Sequence, residues 1–189
     1  GFSSKHPFIQ LLQYIEDRAY RRSNHLISNL KYLDKHIQSR GFSTDNFHWI
    51  PNGYSQTEVN KKVPLSADVK KQLPQGKFTI GYTGTLGVAN CLDTLIEAAS
   101  QLQSQTEIAF VIVGQGKQKE HLQNRFAQLK LNNVTFIDAI PKVQIQSMLA
   151  EFDVCYIGLT KDDLFHYGVS PNKLFDYFCS GKPIIYAID

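Results

Sequence analysis

The sequence predicts an α/β protein built on a parallel sheet with helices on both faces. Three observations carry this. After Gly76, short apolar runs recur at residues 78–82, 108–113, 134–137, 154–157 and 183–187, and none shows the polar alternation of a strand with one wet face. Between successive runs lie stretches with the spacing of a helix that buries one side. Glycine gathers where the runs end, at Gly84, Gly87, Gly114, Gly116 and Gly158.

The first third is less regular. Residues 6–22 place Phe8, Leu11, Leu12, Ile15 and Ala19 at helical spacing, which predicts an amphipathic helix. Residues 25–27 read as a short strand. Ser28 is placed to cap a helix from 30 to about 40, with Gly41 as its C-cap. Residues 47–50 form another short strand, closed by the turn signal Pro51-Asn52-Gly53. From 54 to 76 polar residues dominate, Pro64 and Pro74 punctuate, and only 67–73 suits a short helix. The organisation expected is a first segment over 1–50, a linker over 51–76 and a main domain over 77–189.

Within that domain, strand 78–82 leads through Thr83-Gly84-Thr85-Leu86-Gly87 to a helix ending near 102, with Asn90 as cap and Asp93 as a capping-box-like partner. Strand 108–113 runs into Gly114-Gln115-Gly116 and a helix over about 118–129. Strand 134–137 follows, then a helix opened by Pro141 with Ile145, Met148 and Leu149 on one face. Strand 154–157, the loop 158–169, a further helix and strand 183–187 complete the chain. In such sheets ligands bind beyond the carboxyl ends of the strands, so the loops 83–87, 114–117, 138–140 and 158–169 are expected at one rim.

Composition narrows the function. The 189 residues are 42% hydrophobic and 20% charged, ordinary for a globular protein. No window is apolar enough to span a bilayer and no signal peptide is visible, so a cytoplasmic protein is expected. Cys91, Cys155 and Cys179 lie far apart without CxxC spacing and read as small core residues in a reducing compartment. The net charge of +3 is uneven: residues 1–62 hold nine Lys/Arg and five Asp/Glu, residues 63–189 eleven and twelve. This basic character reads either as a solvated helix face or as a weak peripheral attraction to an anionic membrane surface or acidic acceptor. It is far from the density of a nucleic-acid binder.

Phe165 to Ile185, FHYGVSPNKLFDYFCSGKPII, is the most informative stretch. Ser170 is placed as an N-cap and Pro171 at the first helical position. A helix starting there turns its free N–H groups into the preceding loop and makes an anion site, to which Lys173 adds a full charge. Asp176 lies one turn beyond Asn172 on the same face. The expected site holds phosphate at the helix start and hydroxyl groups one turn down. Leu174, Phe175, Tyr177 and Phe178 are core-facing by spacing, and Lys173 and Asp176 also have a plain reading as exposed helix charges.

The other motifs are weaker. Gly84-Thr85-Leu86-Gly87 offers N–H groups to a phosphate, yet it is neither GxGxxG nor a P-loop and equally suits a tight turn. Gly114-Gln115-Gly116 reads first as a turn. Asp138 reads as a turn carboxylate, and His166 and Tyr167 as loop residues within reach of a sugar.

In their order these motifs resemble a family: the retaining GT-B glycosyltransferases often called family 4. The resemblance rests on His48-Trp49-Ile50-Pro51-Asn52-Gly53, Ile80-Gly81-Tyr82-Thr83-Gly84-Thr85-Leu86, Leu92 through Ala99, Phe110 through Gly116, and Ser170 through Tyr177 with Gly181-Lys182-Pro183-Ile184-Ile185. It implies a Rossmann-like donor-binding domain, truncated at its C-terminus, preceded by the closing segment of an acceptor-side domain. It further implies transfer of a sugar from a nucleotide-sugar donor to a polysaccharide or lipid-linked acceptor with retention of configuration. The Ser-Pro-Asn-Lys variant resembles the bacterial surface-polysaccharide branch, which points to UDP-linked, often N-acetylamino, sugars.

By that resemblance Lys173 neutralises the diphosphate and Asp176 holds the ribose, in place of the family's glutamate. Gly84, Thr85, Leu86, Gly114, Ile140, Tyr167, Gly168, Val169, Ser170, Pro171 and Asn172 line the donor. The family's other glutamate falls at Gly168, and the base usual near the first glycine loop is missing from 86–92. No metal and no cofactor is implied, since the nucleotide-sugar is a substrate. The chain alone is expected to bind nucleotide without transferring. A UDP-sugar 2-epimerase of the same fold and a non-catalytic nucleotide-sugar binding module are the alternatives. An NAD-type dehydrogenase is disfavoured, because no GxGxxG follows the first strand.

Overall fold

In a computed structural model the protein is described at Ser3 and residues 5–188. It forms two compact units. One comprises residues up to Asn52 together with Asp162–Ser170; the other comprises Gly53–Lys161 together with the residues from Pro171 on.

In the first unit, α1 (Pro7–Arg22) is followed by β1 (Leu26–Ser28), α2 (Leu33–Ser39) and β2 (Phe47–Trp49). The two strands pair in parallel, Leu26 opposite Phe47 and Ser28 opposite Trp49. The expected helix over 6–22 forms, but it meets α2 through its polar flank. Arg40 donates to Asp17 at 2.7 and 3.0 Å, His36 lies 3.1 Å from Glu16, and the Tyr20 ring packs on Phe42. Its apolar stripe, Phe8, Leu11, Leu12 and Ile15, stays about half exposed.

The expected cap at Ser28 is corrected. Its Oγ accepts the Leu30 N–H at 3.0 Å and closes a turn, and α2 begins only at Leu33. The reason is tertiary: the Tyr32 N–H donates to the Tyr167 carbonyl at 2.8 Å, which holds this segment out of the helix. Gly41 follows α2 at φ +81°, with its N–H on the Gln38 carbonyl, as expected of a terminator.

The second unit is a five-stranded parallel sheet of β3 (Phe78–Thr83), β4 (Ile108–Val113), β5 (Val134–Ile137), β6 (Val154–Gly158) and β7 (Ile184–Ala187) in the order β5-β4-β3-β6-β7. Chain order reverses between β3 and β6, so the switch point where α/β sheets bind ligands lies there. Both faces are buried, which is why the runs lack polar alternation. Ile80, Tyr82, Phe110 and Ile112 pack with α5 (Leu92–Gln101) and α6 (Lys119–Gln128) on one face. Val111, Val113, Cys155 and Ile157 pack with α7 (Ile145–Ala150) and α8 (Asn172–Ser180) on the other. Each fully buried aliphatic or aromatic side chain contributes about 1.5–3 kcal/mol. Gly81 leaves room for the Phe152 ring on the second face, since a Cβ there would lie 2.0 Å from it.

Residues 53–76, expected within a linker, fold against this sheet. They contain two short helices, α3 (Gln56–Asn60) and α4 (Ala67–Gln72), and Leu65 and Leu73 are buried in the second core layer. Ser147 and Gln144 donate to the carbonyls of Val63 and Pro64. Two leucines in a polar stretch make a weak pattern, and only the docked structure shows that they are core. A second local correction concerns Asn90. It lies in a 3-10 turn, Val88–Asn90, and α5 starts after Cys91, whose left-handed φ of +47° breaks the expected cap. Asp93 pairs with Arg125 and His121 of α6 instead of closing a capping box. Among the described residues no helix is long and apolar enough to cross a membrane.

Candidate functional site

The site is built at the carboxyl end of the sheet in the second unit. Gly84, Thr85, Gly114 and Ile140 come together there: with Val113, Gln115, Ala139 and Ile145 they line a cavity of about 320 Å³. Two strand-end loops touch backbone to backbone across β3 and β4. The Gly84 N–H donates to the Val113 carbonyl at 3.0 Å and the Leu86 N–H to the Gln115 carbonyl at 2.8 Å. A Cβ on Gly114 would lie 1.9 Å from the Gly84 carbonyl oxygen, so this glycine serves the approach of the two loops. Of the Gly84 and Thr85 amides expected to face phosphate, that of Gly84 is already committed. Thr85 N–H has no acceptor among the described residues. Leu86 is fully buried and belongs to the core, not to a ligand surface.

Lys173 sits in the first turn of α8, on the face of the sheet opposite Tyr82. Its stem crosses the carboxyl end of β3 at Gly84, where a Cβ would lie 3.3 Å from Lys173 Cε. Having crossed, Nζ donates to Tyr82 Oη at 2.8 Å and to Asn90 Oδ1 at 2.5 Å, with the Tyr82 ring centroid 4.4 Å away. Tyr82 Oη and Asn90 Nδ2 both donate to the Thr85 carbonyl, at 2.7 and 3.0 Å. The four groups close a ring around the loop that follows β3. Burial lowers the Lys173 ammonium pKa to about 8, and no carboxylate among the described residues balances its charge.

α8 itself is pinned by Tyr177. This buried phenol accepts the Thr83 N–H at 3.0 Å and has its pKa pushed up to about 12, chiefly by burial. The helix begins one residue later than expected. Pro171 is the N-cap, without a side-chain bond, and Asn172 is the first helical residue. Ser170 is not the cap because its carbonyl is held in the first unit, by the Asn52 amide at 2.7 Å.

Asn172 and Asp176 share a face, as their spacing requires. With Gly53, Tyr54, Ser55, Val59, Lys61, Lys142, Val143 and Phe175 they line a second cavity of about 560 Å³, a ligand-sized volume. Lys173 and Asp176 therefore serve different surroundings although they lie on one helix.

Tyr167, Gly168, Val169 and Ser170 fold with the first unit. The Tyr167 ring meets His36 edge-on at 5.4 Å. Gly168 adopts φ +117°, and a Cβ there would lie 3.1 Å from the Lys31 nitrogen. A side chain at the position where the resemblance places a glutamate would therefore be strained. His166 is exposed in this loop, 3.8 Å from Asp163. Asp138 is engaged by Lys119 and Gln115, and the Lys119 ammonium holds its carboxyl below the usual range.

Three residues of this site were not singled out as functional from the sequence: Tyr82, Asn90 and Tyr177. For Tyr82 a signal existed, because a tyrosine inside a fully buried strand must find a partner for its hydroxyl. For Asn90 none did, since its spacing suits a helix cap equally well.

Comparison with known proteins gives the family and the fold. The family described as Glycosyl transferases group 1 matches residues 66–186, more than half of the chain. The putative colanic acid biosynthesis glycosyl transferase WcaI of Escherichia coli K12 is 29% identical over 176 residues, 86% of this chain and 41% of that protein. Among solved structures, Anabaena Alr3699/HepE, determined with UDP and glucose, superposes with a TM-score of 0.71 at 18% identity, over 98% of this chain and 48% of its own. WaaG, a glycosyltransferase involved in lipopolysaccharide biosynthesis, superposes with a TM-score of 0.73 at 15% identity, over 98% of this chain and 51% of its own. At these identities the superpositions establish the fold. The chain spans about half or less of the length of these relatives.

Proposed function

The chain belongs to the glycosyl transferases group 1 family, and from that premise we propose that it is the donor-binding part of a retaining transferase that moves a hexosyl or N-acetylhexosaminyl group from a UDP-linked donor to a polysaccharide or lipid-linked acceptor. The observation that carries this reading is the Lys173 ammonium: partly buried, held among the described residues only by the neutral oxygens of Tyr82 and Asn90, and standing at the switch point of the sheet. A desolvated cation without a counter-charge is costly, and a diphosphate supplies that counter-charge.

The chemistry follows from where charge develops. As the glycosidic bond breaks, negative charge accumulates on the departing nucleoside diphosphate. A preorganised cation and the free Thr85 N–H stabilise that charge without rearranging. Asp176, which lines the larger cavity, is the carboxylate placed to accept from the ribose hydroxyls. The UDP complex of HepE and the colanic acid role named for the bacterial relative support a UDP-sugar and a glycan product. No metal and no cofactor is part of this reading.

Titration calorimetry of the chain with UDP, GDP, ADP and NAD tests it. Binding of UDP in preference to the others is expected; binding of NAD alone would overturn it. One observation favours a second reading, a non-catalytic nucleotide-sugar binding module. Gly168 carries no carboxylate, and its positive φ would strain any side chain placed there. Turnover of a UDP-sugar by a protein containing this chain and an acceptor-side domain decides between the two.

A further inference from the structure

The reading of Lys173 as the diphosphate cation leaves open why its side chain reaches across the sheet end. A lysine stem has four rotatable bonds and an exposed ammonium samples many positions, so a lysine used for charge stabilisation needs something to hold it. Tyr82 Oη and Asn90 Oδ1 take two of its three N–H donors, at 2.8 and 2.5 Å, and leave the third. Both partners are oriented in turn. Tyr82 spends its one hydroxyl donor on the Thr85 carbonyl, and Asn90 turns its amide NH2 to the same oxygen and its Oδ1 to Lys173, so each presents a lone pair to the ammonium. The same carbonyl belongs to the loop that carries the free Thr85 N–H, and one ring therefore orients both the cation and the amide. Tyr82 is fully buried and cannot swing away.

We propose that Tyr82 and Asn90 are positioning residues for donor binding: they hold the Lys173 ammonium over the loop at Gly84–Thr85 with one N–H directed to the diphosphate. The inference rests on the reading of Lys173 given above. Both acceptors are neutral, which keeps the charge uncompensated until an anionic ligand arrives; a carboxylate at either position would satisfy it internally. The titratable groups on the packed elements are the phenols of Tyr82 on β3, Tyr156 on β6 and Tyr177 on α8 and the Cys155 thiol on β6, all raised by burial and neutral where Lys173 begins to titrate. The Asp176 and Cys179 side chains lie further along α8.

The test is calorimetric titration of UDP into the chain from about pH 6.5 to about pH 9.5, with Lys173→Ala, Tyr82→Phe, Asn90→Ala and Asn90→Asp, each checked for its fold by circular dichroism. Tyr82→Phe and Asn90→Ala are expected to weaken UDP binding about 2–13-fold at neutral pH, the effect of removing one of the two hydrogen bonds that hold Lys173 in each case. Each also moves the pH at which affinity declines downward, because the ammonium loses an acceptor. Asn90→Asp moves that pH upward and weakens binding below it, since the new carboxylate pairs with Lys173 and repels the diphosphate. Carbon-13 NMR of the lysine side chains reads the same midpoints without ligand.

Lys173→Ala losing UDP while Tyr82→Phe and Asn90→Ala bind with unchanged affinity and midpoint would overturn the positioning role. A uniform loss at every pH with an unmoved midpoint would also overturn it, as a merely structural contribution. Full UDP affinity in Lys173→Ala would instead remove the diphosphate reading, and the positioning role with it.

Discussion

Lys173 lies on α8, which covers one face of the sheet, and the Tyr82 side chain projects from β3 on the other face, yet Lys173 Nζ is 2.8 Å from Tyr82 Oη because its stem crosses the strand end at Gly84. This crossing places a cation at the point where chain order in the sheet reverses, and several measurable consequences follow from it and its supports.

The first concerns pH. Burial lowers the Lys173 pKa to about 8 from an ordinary value of 10.5. The charged form is the one that binds a diphosphate, so UDP affinity is expected to fall as pH rises through about 8. Stability moves the other way. Between the folded and unfolded pKa values the unfolded chain binds more protons, and the contribution of this residue to folding stability therefore rises with pH across that window. Calorimetry with UDP and urea unfolding, each over the same pH series, check the two signs.

The second concerns Gly84. Its φ is +145°, and an added Cβ would press on Lys173 Cε and Tyr82 Oη at 3.3 Å. Gly84→Ala is expected to cost about 1–3 kcal/mol in backbone strain and to weaken UDP binding by displacing the lysine. Paired thermal melts and UDP titrations measure both losses; wild-type affinity in this variant would contradict the crossing.

The third concerns Tyr177. Removing its hydroxyl leaves the buried Thr83 N–H without the acceptor it has at 3.0 Å. Tyr177→Phe is expected to lower stability by about 1–3 kcal/mol, the cost of a buried unsatisfied donor. Urea unfolding reads this as a lower midpoint with an unchanged slope.

The fourth separates the two charges of α8. Asp176 lines the larger cavity and Lys173 does not. UDP is expected to bind more tightly than 2′-deoxy-UDP to the wild type, by about the 1.5–3 kcal/mol of hydrogen bonds to a charged group. Asp176→Ala should bind the two equally, whereas Lys173→Ala should weaken both and keep their ratio. Competition binding with the two nucleotides checks this.

The fifth concerns the core under the site. A Cβ on Gly81 would lie 2.0 Å from the Phe152 ring. Gly81→Ala is expected to destabilise by about 1–3 kcal/mol through overpacking, and Phe152→Leu in the same chain should recover part of it. Thermal unfolding of the two variants is the measurement.

Most of the second unit was legible because its signals are local. Uninterrupted apolar runs between helical spacings specify parallel strands buried on both faces, and β5 spans 134–137 as its pattern predicts. The spacing of Asn172 and Asp176 likewise put them on one helix face without any tertiary knowledge. What failed were places where a distant segment overrides a local preference. Ser28 has the chemistry of a cap, but Tyr167 holds Tyr32 out of the helix; Ser170 suits a cap too, but its carbonyl is held by Asn52.

By itself the sequence determined the α/β class, the order of strands and helices in the second unit, and α8 with Lys173 and Asp176 on it. Periodicity and turn chemistry act over a few residues, and those features need nothing longer. Only the tertiary structure decided that residues 162–170 fold with the first unit, that Leu86 is core, and that Gly114 serves a loop contact. It alone also chose the partners of Lys173. Tyr82 and Asn90 stand 91 and 83 residues away along the chain, and no local pattern specifies a contact made where two layers of one sheet end together.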